Sequence, residues 1–481
     1  MTHRLSKSRI LAGLQCPKRL YLQVHHPELL VENPQAERRV AVGHQVGEIA
    51  RELYPGGKLI EHDDNLSLAL AETRQLLAEG EPLLYEATFE YDGVLIRADI
   101  LSNDEKGCRF VEVKSSTRIK AYHWLDCAVQ SWVLEGAGYT VSSAAVACIN
   151  RDFIYPGHRE YQGLLITEDI TAAVNAIKVD LPGQVAELRA LLDGSTPAIT
   201  PGDQCFDPFD CPFIDVCSPV TTEYPVTLFP RGKKVAEDLL AEGIGDIRQI
   251  PAGYLDKDQF ERIRRVTVSG EYELDSELTE TLNGLGWPRY YLDFETITFA
   301  VPIWKGTRPY EQLPFQWSCH IEPQAGVLEH AEYLDTTGVS PMRSFNESLI
   351  TQLGDTGPII VYSSFEATRL RESATRFPDL ADAVQGVMDR LVDLLPLTRD
   401  HYYHPAMKGS FSIKAVLPTV APELDYKKLN DVHDGSEAQL AYLEMVNAAT
   451  PANRKAQLQG ALLEYCQLDT LAMVKLVHFF T

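Results

Sequence analysis

The chain has 481 residues, a formal net charge of −24 at pH 7 and a hydrophobic content of 45%. This length allows two to four domains, and the composition is that of a soluble globular protein. No run of 18 apolar residues occurs, which excludes a membrane-spanning helix. The polar, basic start of the chain lacks the apolar core of a secretion signal. We therefore expect a cytoplasmic protein.

The negative charge limits which partners the chain attracts. A net charge of −24 argues against broad, sequence-independent attraction to nucleic acid. It does not exclude an enzyme that holds divalent cations with carboxylates, because bound ions offset that charge locally. Any basic groove must be local, and Lys114, Arg118 and Lys120 are candidates for it.

Residues 1 to about 219 alternate helices and strands. Apolar periodicity predicts helices over residues 8–21, 37–53 and 121–137, and strands over residues 83–91, 94–101, 109–114 and 144–149. Asp92 and Gly93 form a turn signal between the first two strands. This alternation predicts an α/β domain.

The cysteines divide into two groups. Nine are present, an odd number without the spacing of a disulfide framework. Reduced thiols without a special role are expected at Cys108, Cys127, Cys148, Cys319 and Cys466. The other four form a split set, with one near the start and three close to residue 219: Cys16, Cys205, Cys211 and Cys217. Four thiolates at tetrahedral corners are what an iron–sulfur cluster requires, and zinc is the alternative.

Three charged residues interrupt two of the predicted strands. Glu112 and Lys114 alternate along one strand, so both side chains point to one face. Asp99 stands 13 positions before Glu112, on the preceding strand. Carboxylates hold divalent cations, and a nearby lysine can orient an attacking water or neutralise a phosphate. The pattern therefore predicts a metal site, with a polar face of an amphipathic sheet as the alternative.

Asp99 followed by Glu112-Val113-Lys114 resembles the PD-(D/E)XK nuclease signature. The RecB-like branch of that family adds a histidine on an upstream helix and a glutamine on a downstream helix, and His44 and Gln130 match these positions. The resemblance implies that His44 is a third metal ligand and that Gln130 contacts the substrate or supports the site. Leu134 stands where the family has a tyrosine one turn after the glutamine, and Glu86 flanks the site on an earlier strand.

The split cysteine set resembles that of AddB-type and CRISPR-associated iron–sulfur exonucleases. The resemblance implies a structural 4Fe–4S cluster that ties the start of the first domain to its end. It would be held by Cys16, Cys205, Cys211 and Cys217. The family has a closely spaced cysteine pair, whereas here five residues separate the neighbouring cysteines of the trio. That difference leaves zinc open.

Residues 220–287 predict a small helical connector. Helices are expected over 236–242 and 257–265, with Gly243-Ile244-Gly245 between them. Gly-Ile-Gly between short helices resembles helix–hairpin–helix DNA-binding turns, whose backbone amides can face phosphate. The alternative is a linker that packs against its neighbours.

From residue 288 to 481 the pattern restarts. Strands are predicted over residues 289–295, 313–322, 328–333 and 358–362, and helices over residues 344–353 and 461–479. Strands first and helices later predict a second α/β domain.

Two pairs of residues in this part suggest a second metal site. Asp293 and Glu295 place two carboxylates on one face of a strand, and Tyr465 and Asp469 lie one helical turn apart. Together they resemble exonucleases of the DnaQ type, in the DEDD class whose tyrosine orients the attacking water. The resemblance implies an RNase H-like fold and a middle acid, where Glu366 replaces the family's Asp.

Three further features of this part lie near the expected site. Asp393 is a possible additional acid, and Ser410 to Lys414 resembles a stretch that precedes the last element in such domains. An insertion carries aromatic side chains that could stack unpaired bases: Tyr310, Phe315 and Trp317. Packing in the core is the alternative for these aromatic residues.

The whole chain resembles an uncharacterised bacterial family that joins a RecB-like nuclease domain to a DnaQ-like exonuclease domain. We therefore expect an α/β protein with a restriction-endonuclease-like domain (1–219), a connector (220–287) and an RNase H-like domain (288–481). Both sites would bind Mg²⁺ or Mn²⁺, and the expected substrate is DNA with single-stranded ends. The alternatives are an RNA-directed nuclease and a nucleic-acid-binding or defence scaffold with an inactive second domain. The sequence identifies no protein partner.

Overall fold

The computed structural model describes residues 4–30, 34–62, 65–218 and 222–481, without the side chains of residues 34–37. Its backbone contacts divide the chain into two compact units. The first unit comprises residues 1–219 and 299–310, and the second comprises residues 220–298 and 311–481. Both combine helices with sheets, which confirms the expectation of an α/β protein. In the ranges described, no helix has both the length and the apolarity needed to cross a membrane.

The first unit contains a seven-stranded mixed sheet and flanking helices. The elements, in chain order, are β1 (Leu5–Ser6), α1 (Lys7–Gln15), α2 (Pro17–His25), α3 (Pro34–Leu53), β2 (Lys58–Leu59), α4 (Leu66–Ala78), β3 (Leu83–Tyr91), β4 (Val94–Asp104), β5 (Gly107–Lys114), α5 (Ala121–Gly136), β6 (Val141–Ile149), β7 (Leu165–Asp169), α6 (Thr171–Lys178), α7 (Leu181–Leu192) and α8 (Ile214–Cys217).

The strand order of this sheet is β2-β3-β4-β5-β6-β7, with β1 parallel to β4. The strands β3, β4 and β5 form an antiparallel meander, and β6 lies parallel to β5. Helix α5 is the crossover between these parallel strands, and it is buried along most of its length because it covers one face of the sheet. The strands expected from alternation therefore form the centre of the unit.

One expected helix is divided in two. The periodicity predicts a single helix over residues 8–21, but the structure has α1 and α2 with Cys16 between them. Cys16 is extended, at φ −157° and ψ 114°, and Pro17 opens α2. A proline disfavours the helical conformation in the residue before it and is well suited to the first position of a helix. The single-helix prediction was therefore wrong, and the break places Cys16 at a corner.

The second unit contains a five-stranded sheet and a larger set of helices. Its elements are α9 (Lys233–Ala241), α10 (Asp258–Ser269), β8 (Glu273–Leu274), α11 (Ser276–Asn283), β9 (Arg289–Ile297), β10 (Leu313–Gln324), β11 (Val327–Leu334), α12 (Met342–Leu353), β12 (Ile359–Val361), α13 (Phe365–Arg376), α14 (Ala381–Met388), β13 (Leu391–Asp393), α15 (Leu394–His401), β14 (Tyr402–Tyr403), α16 (Ile413–Val420), α17 (Gly435–Val446) and α18 (Ala452–Phe480).

The strand order of the second sheet is β11-β10-β9-β12-β13. The hairpin partners β10 and β11 are antiparallel, and β9, β12 and β13 run parallel. Helix α18 packs across β9 and β10. The parallel centre places the end of β9 and the loop after β12 at one edge of the sheet, which is where α/β proteins commonly build their sites.

The residues expected to form a connector contribute to the core of the second unit. Phe229, Leu239 and Phe260 pack in one cluster with Tyr291 of β9 and Met473 of α18. Gly243 follows α9 with φ +81°, a conformation that favours glycine. Ile244 beside it packs against the same core, so this turn has a packing role.

The aromatic residues of the insertion have different environments. Phe315 and Trp317 lie on β10 with 0% and 3% of their surface exposed, so they are core residues. Tyr310 is 37% exposed and belongs to the first unit. Base stacking is therefore open to Tyr310 and not to the other two.

Candidate functional site

The first candidate site is a polar cavity of about 280 Å³ in the first unit. Its wall brings together side chains from α3, β3, β4 and β5. They include the expected site residues His44, Asp99 and Glu112, together with Glu86, which was expected to flank the site, and Arg51. The expected residues thus lie around one space although they come from separate elements.

Strand register explains why Asp99 and Glu112 are neighbours. Ile100 of β4 pairs with Val111 of β5 in antiparallel register, which places Asp99, the residue before Ile100, opposite Glu112, the residue after Val111. The backbone N–H of Val113 donates to Asp99 Oδ2 at 2.6 Å. This bond holds the Asp99 carboxylate against the β5 backbone.

Glu112 is the centre of a buried charge network. Its Oε1 accepts from Lys114 Nζ at 2.6 Å and from Lys7 Nζ at 2.9 Å. Its Oε2 accepts from Gln130 Nε2 at 2.6 Å. Asp126 lies opposite, 2.6 Å from Lys114 and 3.0 Å from Lys7. Two carboxylates and two ammonium groups therefore form a closed set that Gln130 extends.

The pKa values of Glu112 and Asp99 shift in opposite directions. Burial opposes ionisation of Glu112, but the charges of Lys114 and Lys7 outweigh it and hold its pKa below the usual range. Burial and the neighbouring Glu112 charge raise the pKa of Asp99 to about 8. Asp99 is therefore the group whose ionised form gains most from an added cation.

His44 lies on α3, is exposed and lines the same cavity. Across the ranges described, two triads of ligating side chains have their atoms within 4.8 Å of one another: Asp275, Glu277 and His401, and Asp293, Glu295 and Asp469. His44, Asp99 and Glu112 are not among these triads. The ligand atoms of His44, Asp99 and Glu112 therefore do not all lie within 4.8 Å of one another, although the three residues line one cavity.

Sequence reasoning missed two members of the network. Asp126 lies one turn before Gln130 on α5, so both point towards β5. That spacing was a usable signal. Lys7 carried no local signal, because it reaches Glu112 only after β1 has paired with β4.

The four cysteines of the split set line one small pocket. Cys16, Cys205 and Cys211 are buried, and Cys217 is partly exposed. The backbone N–H of Cys211 donates to the carbonyl of Cys205 at 2.7 Å, which closes the loop between them. The pocket joins the α1–α2 corner to residues 205–217.

Gln15, the residue before Cys16, stabilises this pocket through side-chain hydrogen bonds. Its Nε2 donates to the carbonyls of Gln204 and Phe209 at 2.7 and 2.6 Å. Its Oε1 accepts from Arg19 at 2.5 Å. The loop that carries Cys205 and Cys211 is therefore hydrogen-bonded to the helix end that carries Cys16.

The second candidate site is a cavity of about 220 Å³ in the second unit. Carboxylate oxygens of Asp293, Glu295 and Asp469 lie within 4.8 Å of one another. The first two alternate on β9, and Asp469 comes from α18, which packs against that strand. Three carboxylates at this spacing match the oxygen ligands of a divalent cation.

Two tyrosines and a lysine complete this site. Tyr465 lies one turn before Asp469 and lines the cavity. Lys414 Nζ donates to Tyr465 Oη at 3.2 Å and to the His433 carbonyl at 2.7 Å. Tyr426, which the sequence analysis did not single out, donates to Asp469 Oδ1 at 2.6 Å.

Glu366 lines the same cavity from the start of α13. It is buried, and its Oε2 has no hydrogen-bond partner in the part of the chain that the structure describes. Asp393 caps α15 instead, accepting from the Leu395 N–H at 3.0 Å. Glu366 therefore faces the cavity, whereas Asp393 caps a helix.

Burial dominates the electrostatics of this site. It raises the pKa of Glu295 to about 8, with the Asp469 charge adding to it. It also raises the pKa of Glu366 to about 7 and that of Asp469 to about 6. Burial and then the charge of Asp469 also raise the pKa of Asp293 well above its usual range. Crowded, buried carboxylates of this kind are stabilised by a bound cation.

Comparison with known proteins gives matches without an assigned activity. Residues 290–412 match a family described as a domain of unknown function (DUF2779). This range includes Asp293, Glu295 and Glu366. An uncharacterized Mycoplasma pneumoniae protein, a homolog of MG366, is 27% identical over 40% of this chain and 32% of its own length. The uncharacterized protein MG366 of Mycoplasma genitalium is 24% identical over 43% and 34%. The chain thus spans about a third of the length of these relatives.

Proposed function

We propose that this chain is a metal-dependent nuclease with a hydrolytic site in each unit. The observation that carries the proposal is the set Asp293, Glu295 and Asp469, whose carboxylate oxygens lie within 4.8 Å of one another in a cavity. Burying three carboxylates together is costly unless cations compensate them. Mg²⁺ or Mn²⁺ bound there would polarise a phosphate and activate water for phosphodiester hydrolysis.

In the second site the protein's own groups would position the nucleophile. Burial and the nearby Asp469 raise the pKa of Tyr465, so its hydroxyl stays protonated. Lys414, at 3.2 Å, restricts where that hydroxyl points. A protonated, oriented hydroxyl beside the carboxylates suits the water-orienting role that the DnaQ-type resemblance implies. The RNase H-like assignment of this unit rests on the same resemblance.

In the first site, Asp99 and Glu112 would hold the cation, and Lys114 would contact the phosphate or the attacking water. Lys114 is already fixed by Glu112 and Asp126 at 2.6 Å each, so it is positioned before a substrate arrives. His44 faces the same cavity and could ligate after a side-chain rotation. These residues support a RecB-like PD-(D/E)XK site.

The cysteine pocket fits a thiolate-bound group in its donor chemistry. Four cysteines line it, and they come from two segments of the first unit that lie some 190 positions apart in the chain. A 4Fe–4S cluster or a zinc ion would draw on these four thiolates. The proposed role is structural, because the pocket fastens the α1–α2 corner to residues 205–217. We propose the cluster, following the resemblance.

The test of the nuclease proposal is cleavage of labelled single- and double-stranded DNA and RNA with Mg²⁺, Mn²⁺ or EDTA. We expect metal-dependent products that E112Q and D293N each reduce, with the largest loss in the double variant. Exposed acids of the two units provide matched controls, E105Q and E329Q. Absence of cleavage of every substrate by the folded, metal-loaded protein would overturn the proposal.

E112Q and D293N also distinguish the alternative functions of the two units. If D293N changes no product while E112Q removes all of them, the second unit binds rather than cleaves. If each variant removes a different product, both sites are active. Preference for RNA over DNA would identify the RNA-directed alternative, and a circular substrate distinguishes endonuclease from exonuclease action.

A further inference from the structure

A second, larger cavity of about 820 Å³ lies in the first unit, and we infer that it binds a single strand of nucleic acid. We call it the basic groove. Its lining includes Arg39, Arg118, Lys120, Arg151, Phe206 and Tyr310. The inference deepens the proposed function by naming the form of the substrate, and it rests on that function.

The groove concentrates positive charge on a strongly acidic chain. Four of its lining residues are cationic and one is acidic, whereas the whole chain has a net charge of −24. Arg118, Lys120 and Arg151 are exposed. None of these three forms an ion pair with any residue that the structure describes. Such cations are available to phosphates, and their clustering identifies this surface as the local basic groove that an acidic nuclease needs.

Aromatic rings line the same groove as these cations. Phe206 is 60% exposed and Tyr310 is 37% exposed, both on the groove. Tyr122 packs against Phe209 with ring centroids 4.6 Å apart, and Lys120 Nζ lies 5.6 Å from the Tyr122 ring centre. Exposed rings beside cations bind unpaired bases by stacking while the cations follow the backbone. Bases within a duplex are already stacked on each other, so this combination favours a single strand.

The groove adjoins the first acidic site along the chain at two points. Ser115 follows Lys114 directly at the end of β5, and Arg39 precedes Val40, which lines the acidic cavity. Tyr310 donates a hydrogen bond to the Ser115 carbonyl, which fixes the strand end between the two cavities. A strand held in the groove would therefore pass its backbone close to Glu112 and Lys114.

The loop from Cys205 to Cys211 connects the cysteine pocket to two aromatic residues of the groove. Phe206 and Phe209 lie between Cys205 and Cys211, in the loop that Gln15 binds through the Phe209 carbonyl. The same loop thus lines the cysteine pocket on one side and the groove on the other. We infer that holding this loop is how the pocket contributes to substrate binding.

The experiment measures binding separately from cleavage. Fluorescence anisotropy in EDTA, with fluorescein-labelled oligonucleotides of about 20 nucleotides, reports affinity for single-stranded DNA, single-stranded RNA and the matching duplex. The salt series is fitted for the slope of log affinity against log salt. We expect tighter binding to the single strands than to the duplex.

The charge and ring variants have different expected effects. Replacing Arg118, Lys120 and Arg151 together with Ala should reduce the salt slope by about 2, at roughly 0.7 for each phosphate that is no longer neutralised. R151K should retain the slope, and R74A, an exposed cation of α4 outside the groove, should leave it unchanged. F206A should weaken binding roughly 5- to 100-fold with the slope intact, and F206L should weaken it as well because a leucine has no ring face.

The outcomes distinguish this inference from the nuclease proposal. If the protein cleaves nucleic acid but every groove variant binds oligonucleotides as the wild type does, the inference about the groove is wrong and the proposed nuclease function stands. If the protein binds single strands through the groove but cleaves no substrate, the inference about the groove is supported and the nuclease proposal is wrong. Equal or tighter binding to the duplex, or no binding to any oligonucleotide, overturns the groove.

Discussion

Lys7 Nζ lies 2.9 Å from Glu112 Oε1, although 105 positions separate the two residues in the chain. The same ammonium group lies 3.0 Å from Asp126. The attraction of Glu112 and then Asp126 outweighs the cost of burial and raises the pKa of Lys7 above its usual range. The start of the chain therefore supplies one of the two cations that compensate the first acidic site.

Replacing Lys7 with methionine should destabilise the first unit. The substitution leaves Glu112 and Asp126 buried with Lys114 as their one remaining ion-pair partner among the described residues. Removing one partner of a buried ion pair typically costs about 3 kcal/mol or more, and Lys114 offsets part of this. Urea unfolding followed by circular dichroism measures the change, and R9M on the same helix is the control because Arg9 is exposed. Equal stability of the two variants would contradict the prediction.

Replacing Gln15 with leucine should loosen the cysteine pocket. The carbonyls of Gln204 and Phe209 each lose a donor, at a cost of about 1–3 kcal/mol for each group left unpaired. The anaerobically purified protein should be brown, with absorbance near roughly 400 nm from thiolate-bound iron, and Q15L should lose this colour faster in air. Q45L, an exposed glutamine of α3, is the control.

Metal analysis decides what the pocket holds. C16S should lose bound iron and destabilise the first unit, because the pocket joins the α1–α2 corner to residues 205–217. C108S should retain the iron, since Cys108 lies in the sheet core outside the pocket. Colourless wild-type protein with one zinc per chain would rule out the iron–sulfur cluster.

The two tyrosines of the second site should differ in their effects. Y465F removes the hydroxyl that would orient water, and loss of a single positioned group of this kind commonly costs about 10²-fold in rate. Y426F removes one hydrogen bond to Asp469, so the carboxylate pKa should rise and the rate should fall less, mainly below neutral pH. Single-turnover rates against pH measure both variants. Y290F, a buried tyrosine of the same sheet outside the cavity, is the control, and equal losses for all three would contradict the assignment.

Burial of His320 should lower the stability of the second unit in mild acid, in opposition to the carboxylates of the second site, whose raised pKa values have the reverse effect. This imidazole is buried, with Nδ1 2.8 Å from Thr470 Oγ1 and its ring 4.7 Å from that of His330. Burial and then the His330 charge lower its pKa from 6.5 to about 4. At His320 the unfolded chain therefore binds more protons than the folded chain between these values, so the contribution of this residue to the free energy of unfolding decreases as the pH falls through this range. The full loss is about 3 kcal/mol, from about 1.4 kcal/mol per pKa unit.

Melting temperatures from pH 7 to pH 4 test this dependence. Relative to the wild type, H320Q should become more stable as the pH falls from 7 to 4. H158N removes an exposed histidine whose φ of +58° asparagine tolerates, and it should retain the wild-type slope. A wild-type slope in H320Q would show that other groups control the acid sensitivity.

Much of the architecture was predictable because it depends on local patterns. The alternation in residues 83–114 predicted the meander of β3, β4 and β5, since successive strand side chains point to opposite faces. The one-turn spacing of Tyr465 and Asp469 placed both on one side of α18. Pro17 also indicated the helix break at Cys16, but the apolar periodicity continues on both sides of it and led to the prediction of a single helix.

What the sequence by itself determined is which side chains share a strand face or a helix turn, such as Glu112 with Lys114 and Asp293 with Glu295. Only the tertiary structure decided which faces meet. It placed Lys7 on Glu112, Tyr426 on Asp469 and Tyr310 beside the basic groove. The physical reason is that local backbone geometry sets periodicity within an element, whereas contacts between distant elements depend on strand pairing and on the packing of the whole core.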